Sequence, residues 1–348
     1  LLPARMPVDG MTFNTVVSVV VSILPVFLFL FALVFLDSYK LVHLRAILRT
    51  IIVGCLVALA CFGMNTFLVR TFSLDVVLYT RYGAPVVEEC FKAFYVYYLI
   101  RAAKIGFLVD AAIYGFAVGA GFAFVENLYY IHSLEEANLL VWFVRGFGTA
   151  VMHGGGTAIV GILSKSLADR RSTTGPAILL PGLGIAIVVH SVYNHFFFSP
   201  LLSTFGIILT LPVLIMVLFE RSEKATREWL GVELDTEMEL LELINGGNIS
   251  STKIGRYLRT LEHRFRGEVI ADLLCYLRVH LELSIQAKGI LMMRDSGFDI
   301  PPSPEIHEQL NELKYLDKSI GRTGKLALKP FLRTSTQTLW QLHMLGGK

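Results

Sequence analysis

Seven long apolar runs fill the first 219 residues, and that pattern restricts the chain to a helical bundle in a membrane. A helix needs about 20 apolar residues to cross hydrocarbon, where every backbone N–H and C=O must be satisfied within the segment. The runs cover approximately 15–36, 47–69, 76–100, 105–131, 139–163, 177–199 and 201–219. The first has no evident cleavage site and is read as a retained span. Only 17% of the chain is charged, against about 25% in soluble domains, and residues 220–348 are rich in Glu, Lys and Arg. The expected architecture is therefore an all-α, polytopic bundle of about seven spans (1–219) followed by a soluble helical domain (220–348).

Lysines and arginines in short loops set the orientation. Lys40, Arg45 and Arg49, Arg101 and Lys104, Lys165, Arg170 and Arg171, and Arg221 and Lys224 fall on one side; acidic Glu135 and Glu136 fall on the other. Arg70 and Arg81 are exceptions. The N-terminus is expected outside and the C-terminal domain in the cytoplasm. A net charge of +3 with no recognisable base-reading motif excludes nucleic acid as a partner. Cys55, Cys61, Cys90 and Cys275 form neither a disulfide framework nor a CxxC metal pair.

In the tail, Ile270, Leu273, Leu274, Leu277 and Leu281 mark one face of a helix from about 267 to 294. Pro301, Pro302 and Pro304 break the chain before a helix over 304–320, and another begins near Leu326. Arg256, Arg259, Arg264 and Arg266 form either a solvated face or a contact with anionic lipid heads. No chemistry is assigned to this domain; a protein partner is one role open to it.

Several apolar runs carry groups that are costly in hydrocarbon and that mark functional sites when a chain keeps them. Glu88, Glu89 and Lys92 fall in the third run. On a helix Lys92 can reach either carboxylate, at i,i+4 or i,i+3. An internal ion pair accounts for one carboxylate and leaves the other free to accept a proton. Glu126 and Asn127 close the fourth run, where the acid can orient a water or a histidine and the amide can donate to an oxyanion. His153 precedes three glycines that permit close approach. His190 and Asn194, four apart, share a face suited to holding developing negative charge. His195 points elsewhere and Asp110 is read as structural. With a rise of 1.5 Å per residue, Glu88 and Glu89 lie about 18 Å below the outer face, His190 about 14 Å and His153 about 21 Å, while Glu126 and Asn194 are under roughly 10 Å deep. One water-filled cavity opening outward reaches all of them.

Glu88-Glu89-Cys-Phe-Lys92 resembles an EExxK signature and Phe122-Ala-Phe-Val-Glu126-Asn127 an FxxxEN signature; His153 and His190 with Asn194 resemble later histidine motifs. Together, over roughly residues 76–199, they resemble the PrsW-like glutamic intramembrane proteases. That family is related in motif arrangement to the type II CAAX prenyl proteases and the bacterial ABI proteins. The second motif carries Glu126-Asn127 where those relatives often have a histidine, which favours PrsW over a prenyl protease.

The resemblance implies a bacterial multi-pass membrane peptidase acting on a membrane-anchored protein without a covalent intermediate. Glu88 or Glu89 would activate water, tuned by Lys92. His153 and His190 would position the water or protonate the leaving amine, and Asn194 with Asn127 would stabilise the oxyanion. No cofactor is required, although two histidines and a glutamate are also a zinc-competent set. The competing reading from another class is a proton-coupled transporter. It predicts internal repeats with broken helices, and the sequence displays none.

Overall fold

The computed structural model describes residues 13–346 except 38, 40–41, 134–137, 172, 196, 248–252, 263, 299–302 and 333–335. Lys40, Glu135, Glu136, Pro301 and Pro302, used above for orientation and for the chain break, lie outside the described residues. Among those described, all regular structure is helical. The membrane part contains α1 (Phe13–Phe35), α2 (Leu44–Thr71), α3 (Ala84–Arg101), α4 (Leu108–Ser133), α5 (Val151–Arg171), α6 (Leu180–His195) and α7 (Pro200–Asn245).

Two of these helices have π-helical approaches. Tyr79–Gly83 leads into α3 after the single turn Val76–Leu78, and Val144–Ala150 leads into α5 after the short helix Leu139–Phe143. Six of the runs are long and apolar enough to cross a membrane. The other expected crossing, 76–100, is helical from Val76 to Arg101 but carries Arg81, Glu88, Glu89 and Lys92.

α4 is the hub of the bundle. Its apolar stretch is 83% buried, against 28% for α1, α2 and the run containing α6. Small residues make that possible. A Cβ at Gly119 would lie 2.2 Å from the His153 carbonyl oxygen, so α4 and α5 pack backbone to backbone, as small residues allow in membrane bundles. The outer helices turn large apolar faces outward, including Phe31, Leu56 and Leu209, as lipid contact requires.

α7 does not stop where its apolar stretch ends. It continues to Asn245 and becomes a post for α8 (Lys253–Leu261), α9 (Gly267–Asp295), α10 (Glu305–Leu328) and α11 (Thr336–Leu345). α10 bends at Gly321, where φ is 60°. Lys288 of α9, fully buried, reaches Glu237 at 2.8 Å and Glu233 at 3.3 Å on the α7 extension. Trp340 of α11 packs against Gly106 and meets the Phe107 ring edge-on at 5.2 Å, which ties the tail to the start of α4. The apolar side of α8 packs with Leu240, Leu241 and Ile244. That position is about 30 Å along α7 from residue 220, roughly three Debye lengths. Such a distance favours solvent over lipid heads for Arg256 and Arg259.

The tail also carries an acid-sensitive group. His280 of α9 is buried, its Nδ1 has no hydrogen-bond partner among the described residues, and its ring stacks on Tyr276. Burial, and then the Lys288 charge, push its pKa down to about 4. The unfolded chain therefore binds this proton between pH 6.5 and 4 while the folded one does not, so stability falls as pH falls through that window. Acidification from pH 7 to 5 is expected to cost about 2 kcal/mol at this residue. Thermal unfolding of the detergent-solubilised protein at both pH values tests it: His280→Gln should remove that part of the acid sensitivity.

Candidate active site

Helical geometry sends adjacent side chains about 100° apart, so Glu88 and Glu89 of α3 enter different environments. Glu89 points into the bundle and is 1% exposed. Its Oε1 accepts from Lys92 Nζ at 2.5 Å and from His190 Nδ1 at 2.8 Å. Glu88 faces a cavity of about 750 Å³. Its Oε1 accepts from Asn65 Nδ2 at 3.1 Å, and its Oε2 lies 3.9 Å from His190 Nε2. Of the two i,i+3 and i,i+4 options, the lysine takes Glu89.

From Glu89 a chain of contacts crosses the bundle. Lys92 Nζ lies 3.1 Å from His153 Nδ1, and His153 Nε2 lies 3.1 Å from Glu126 Oε2. Glu126 pairs with Arg145 at 3.4 Å. An ammonium only donates, so Nδ1 of His153 accepts and its Nε2–H donates to Glu126. The opposite tautomer holds at His190: Nδ1–H donates to Glu89, and Nε2 keeps its lone pair towards Glu88. The two imidazoles meet edge to face with centroids 4.8 Å apart. They are oppositely wired.

The cavity is lined by α2 from Ala58 to Arg70, the segment from Val76 to Glu88, the C-terminal half of α4, Arg145, Thr149, His153, His190 and Asn194. Most of these lie towards the C-terminal ends of α2, α4 and α6 or beside the π-helical approaches to α3 and α5. The opening is thus at the end of the bundle opposite the tail. π-Turns are frequent at functional sites because they displace backbone groups from the regular ladder. Here the carbonyls of Thr80 and Arg81 accept from Asn194 Nδ2 (3.0 Å) and Ser191 Oγ (2.6 Å), which locks α6 against the approach to α3.

Glu88, Glu89, Lys92, Glu126, His153 and His190 are brought together, and Asn194 lines the same cavity. Asn127 is not with them. Its amide donates to the Ser22 carbonyl at 2.7 Å and accepts from Arg145 Nε at 2.9 Å, so it is committed to holding α1 and Arg145. The expectation of an oxyanion donor there is corrected: one helical step past Glu126 turns the side chain away from the cavity. Asp110 accepts from the N–H groups of Gly106 and Phe107 at the start of α4, a structural role. Sequence reasoning missed Arg145, although a charge inside the 139–163 run was as legible as Glu88. It also missed Asn65 and Tyr79, whose importance comes only from what they touch.

Glu88, His153 and His190 offer donor atoms within 4.8 Å of one another. In composition they suit zinc, and a carboxylate behind a ligating histidine, as Glu89 stands behind His190, is the usual support. His153 does not fit as it is wired. Both its ring nitrogens are occupied, one by the Lys92 cation, so it could ligate only after giving up a partner.

A family model described as PrsW family intramembrane metalloprotease matches residues 42–219, just over half of the chain. No curated protein and no solved structure gives a significant match.

Proposed function

Because the chain belongs to the PrsW family of intramembrane proteases, we propose that it cuts a peptide bond of a membrane-anchored protein with a water activated by Glu88. The observation that carries this reading is the 3.9 Å gap between Glu88 Oε2 and His190 Nε2 at the cavity wall. That gap is too long for a direct hydrogen bond and suits one bridging water. The water donates one proton to the Glu88 carboxylate and the other to the His190 lone pair, which leaves its own lone pair aimed into the cavity. Glu88 takes the proton as the water attacks the scissile carbonyl, then passes it to the leaving amine. Glu89 fixes the His190 tautomer through Nδ1, and Lys92 neutralises Glu89. His153 joins Lys92 to Glu126 and keeps both charged pairs in register. Asn194, whose Nδ2 gives one hydrogen to the Thr80 carbonyl, donates its second to the oxyanion; one such donor typically contributes about 3–4 kcal/mol.

With the N-terminus outside and the tail in the cytoplasm of a bacterial cell, the cavity opens on the outer face. The substrate is then cut near the outer leaflet. Membrane proteomes from cells carrying the wild type and Glu88→Ala/Glu89→Ala test the reading. Truncated single-pass proteins are expected only with the wild type; identical proteomes in a strain that produces the protein would sink it.

A second measurement addresses the metal. Cleavage is expected to survive chelation of divalent ions within about twofold, since His153 is held by Lys92 and Glu126. Loss on chelation with recovery on zinc, and about one zinc per chain that disappears in His190→Ala, would move water activation to an ion held by Glu88, His153 and His190.

A further inference from the structure

α2 stands between the Glu88 cavity and the surrounding lipid, and its two halves are held very differently. The inner half is clamped to α4 by two glycines. A Cβ at Gly54 would fall 2.2 Å from the Val118 carbonyl oxygen, and one at Gly121 would fall 2.1 Å from that of Ile51. Cys55 Sγ donates to the Gly121 carbonyl at the same crossing. No side chain larger than hydrogen fits there, so the helices cannot separate without losing the tightest contact they make.

Beyond the crossing the outer half of α2 forms one wall of the cavity. Leu59 and Phe62 line the cavity and are 58% and 55% exposed; Tyr129 of α4, 49% exposed, lines it from the other side of their contact. Just past the crossing Ala58 and Cys61 pack against Phe122 of α4; further out, among the described residues, two attachments hold this half. The Phe62 and Tyr129 rings meet at 5.2 Å. Asn65 donates to Glu88, and Tyr79 O–H donates to Asn65 Oδ1 at 2.7 Å. The second attachment ends on the carboxylate assigned above as the base.

We propose that the outer half of α2 is a lateral gate, pivoting at Gly54–Gly121, through which an unwound stretch of a single-span membrane protein reaches Glu88 from the lipid. The proposal rests on the hydrolytic reading of the cavity. Entry parts Phe62 from Tyr129 and withdraws Asn65 from Glu88. The carboxylate that Asn65 holds when the gate is shut is then free to take a proton from water. Asn65 is thus a positioning residue that couples gate closure to an idle base. The occupant follows from the walls: Leu59, Phe62, Val69 and Val125 suit apolar side chains, while Glu88, Arg145 and Asn194 meet the polar backbone that a helix exposes when it unwinds.

The test uses full-length Phe62→Cys/Tyr129→Cys protein in vesicles, with the exposed native thiol removed by Cys90→Ser. The probes are a fluorogenic library of single-span peptides and the water-soluble peptides matching their outer flanks. A short, reducible thiol cross-linker across 62 and 129 is expected to lower cleavage of the single-span peptides at least about tenfold, as blocked gating does. Reduction should restore it, and soluble peptides should be affected far less. The uncross-linked form is the control for folding. Unchanged cleavage of single-span peptides after complete cross-linking would overturn the gate.

A readout independent of turnover separates this from failure of the hydrolytic reading. Spin labels at 62 and 129 in the Glu88→Gln background are expected to move apart when the single-span library is added. An unchanged distance counts against the gate whether or not the protein is a peptidase.

Discussion

Glu88→Gln is expected to lower the rate of peptide cleavage by about 10²–10⁴-fold, the range over which a positioned general base acts. The substitution keeps the shape of the side chain and its place beside Asn65. It removes only the capacity to take a proton from the water shared with His190. The melting temperature should therefore stay near that of the wild type, since Glu88 lies at a cavity wall and makes no short ion pair: its nearest is His190 at 3.9 Å. Activity on single-span peptides, measured alongside thermal unfolding, checks both halves. Retention of more than a tenth of the wild-type rate would remove Glu88 from the chemistry and leave Glu126 as the other cavity-facing carboxylate.

The neighbouring glutamate should behave in the opposite way. Glu89→Leu leaves Lys92, itself fully buried, without its counter-charge. Breaking such a pair from one side costs about 3–5 kcal/mol, because an uncompensated charge stays in the interior. Glu89→Leu should accordingly unfold at a markedly lower temperature or fail to accumulate. Glu89→Leu/Lys92→Met replaces both partners by apolar groups and should recover most of the stability. Activity should not return with it, because Glu89 also holds Nδ1 of His190. If the single variant proves as stable as the double, Lys92 has another partner strong enough to hold it. The contrast separates the proposed base from a residue that holds the site together, although the two stand side by side in the chain.

Much of this site was legible because hydrocarbon makes polar groups conspicuous. Glu88, Glu89, Lys92, Glu126, His153 and His190 each interrupt an apolar run, and each joins the same cluster. Rise per residue put Glu88, Glu89, His190 and His153 at about 14–21 Å and Glu126 nearer the face, all within reach of one cavity. The tail helix expected over 267–294 is observed as Gly267–Asp295, because a long apolar face at helical spacing is a strong local signal. Expectation and structure part where a single rotation about a helix axis decides. Asn127 follows Glu126 directly and reads as its equal, yet it ties α4 to α1. Arg145 carried the same signal as the glutamates and was overlooked because it sits in no recognised motif. Asn65 and Tyr79 gave no signal, since a lone amide or phenol in an apolar run is common without function.

Composition and periodicity alone required a multi-pass helical bundle with a charged helical tail, because unbroken apolar runs of about 20 residues satisfy their own backbone in lipid only as helices. They also required that acids and imidazoles buried in it find one another, since isolated charges there are too costly. Only the packed structure decided which carboxylate lines the cavity and which meets the lysine. Adjacent residues differ by 100° around a helix, and that angle has meaning only once α5 and α6 stand on one side and the cavity on the other.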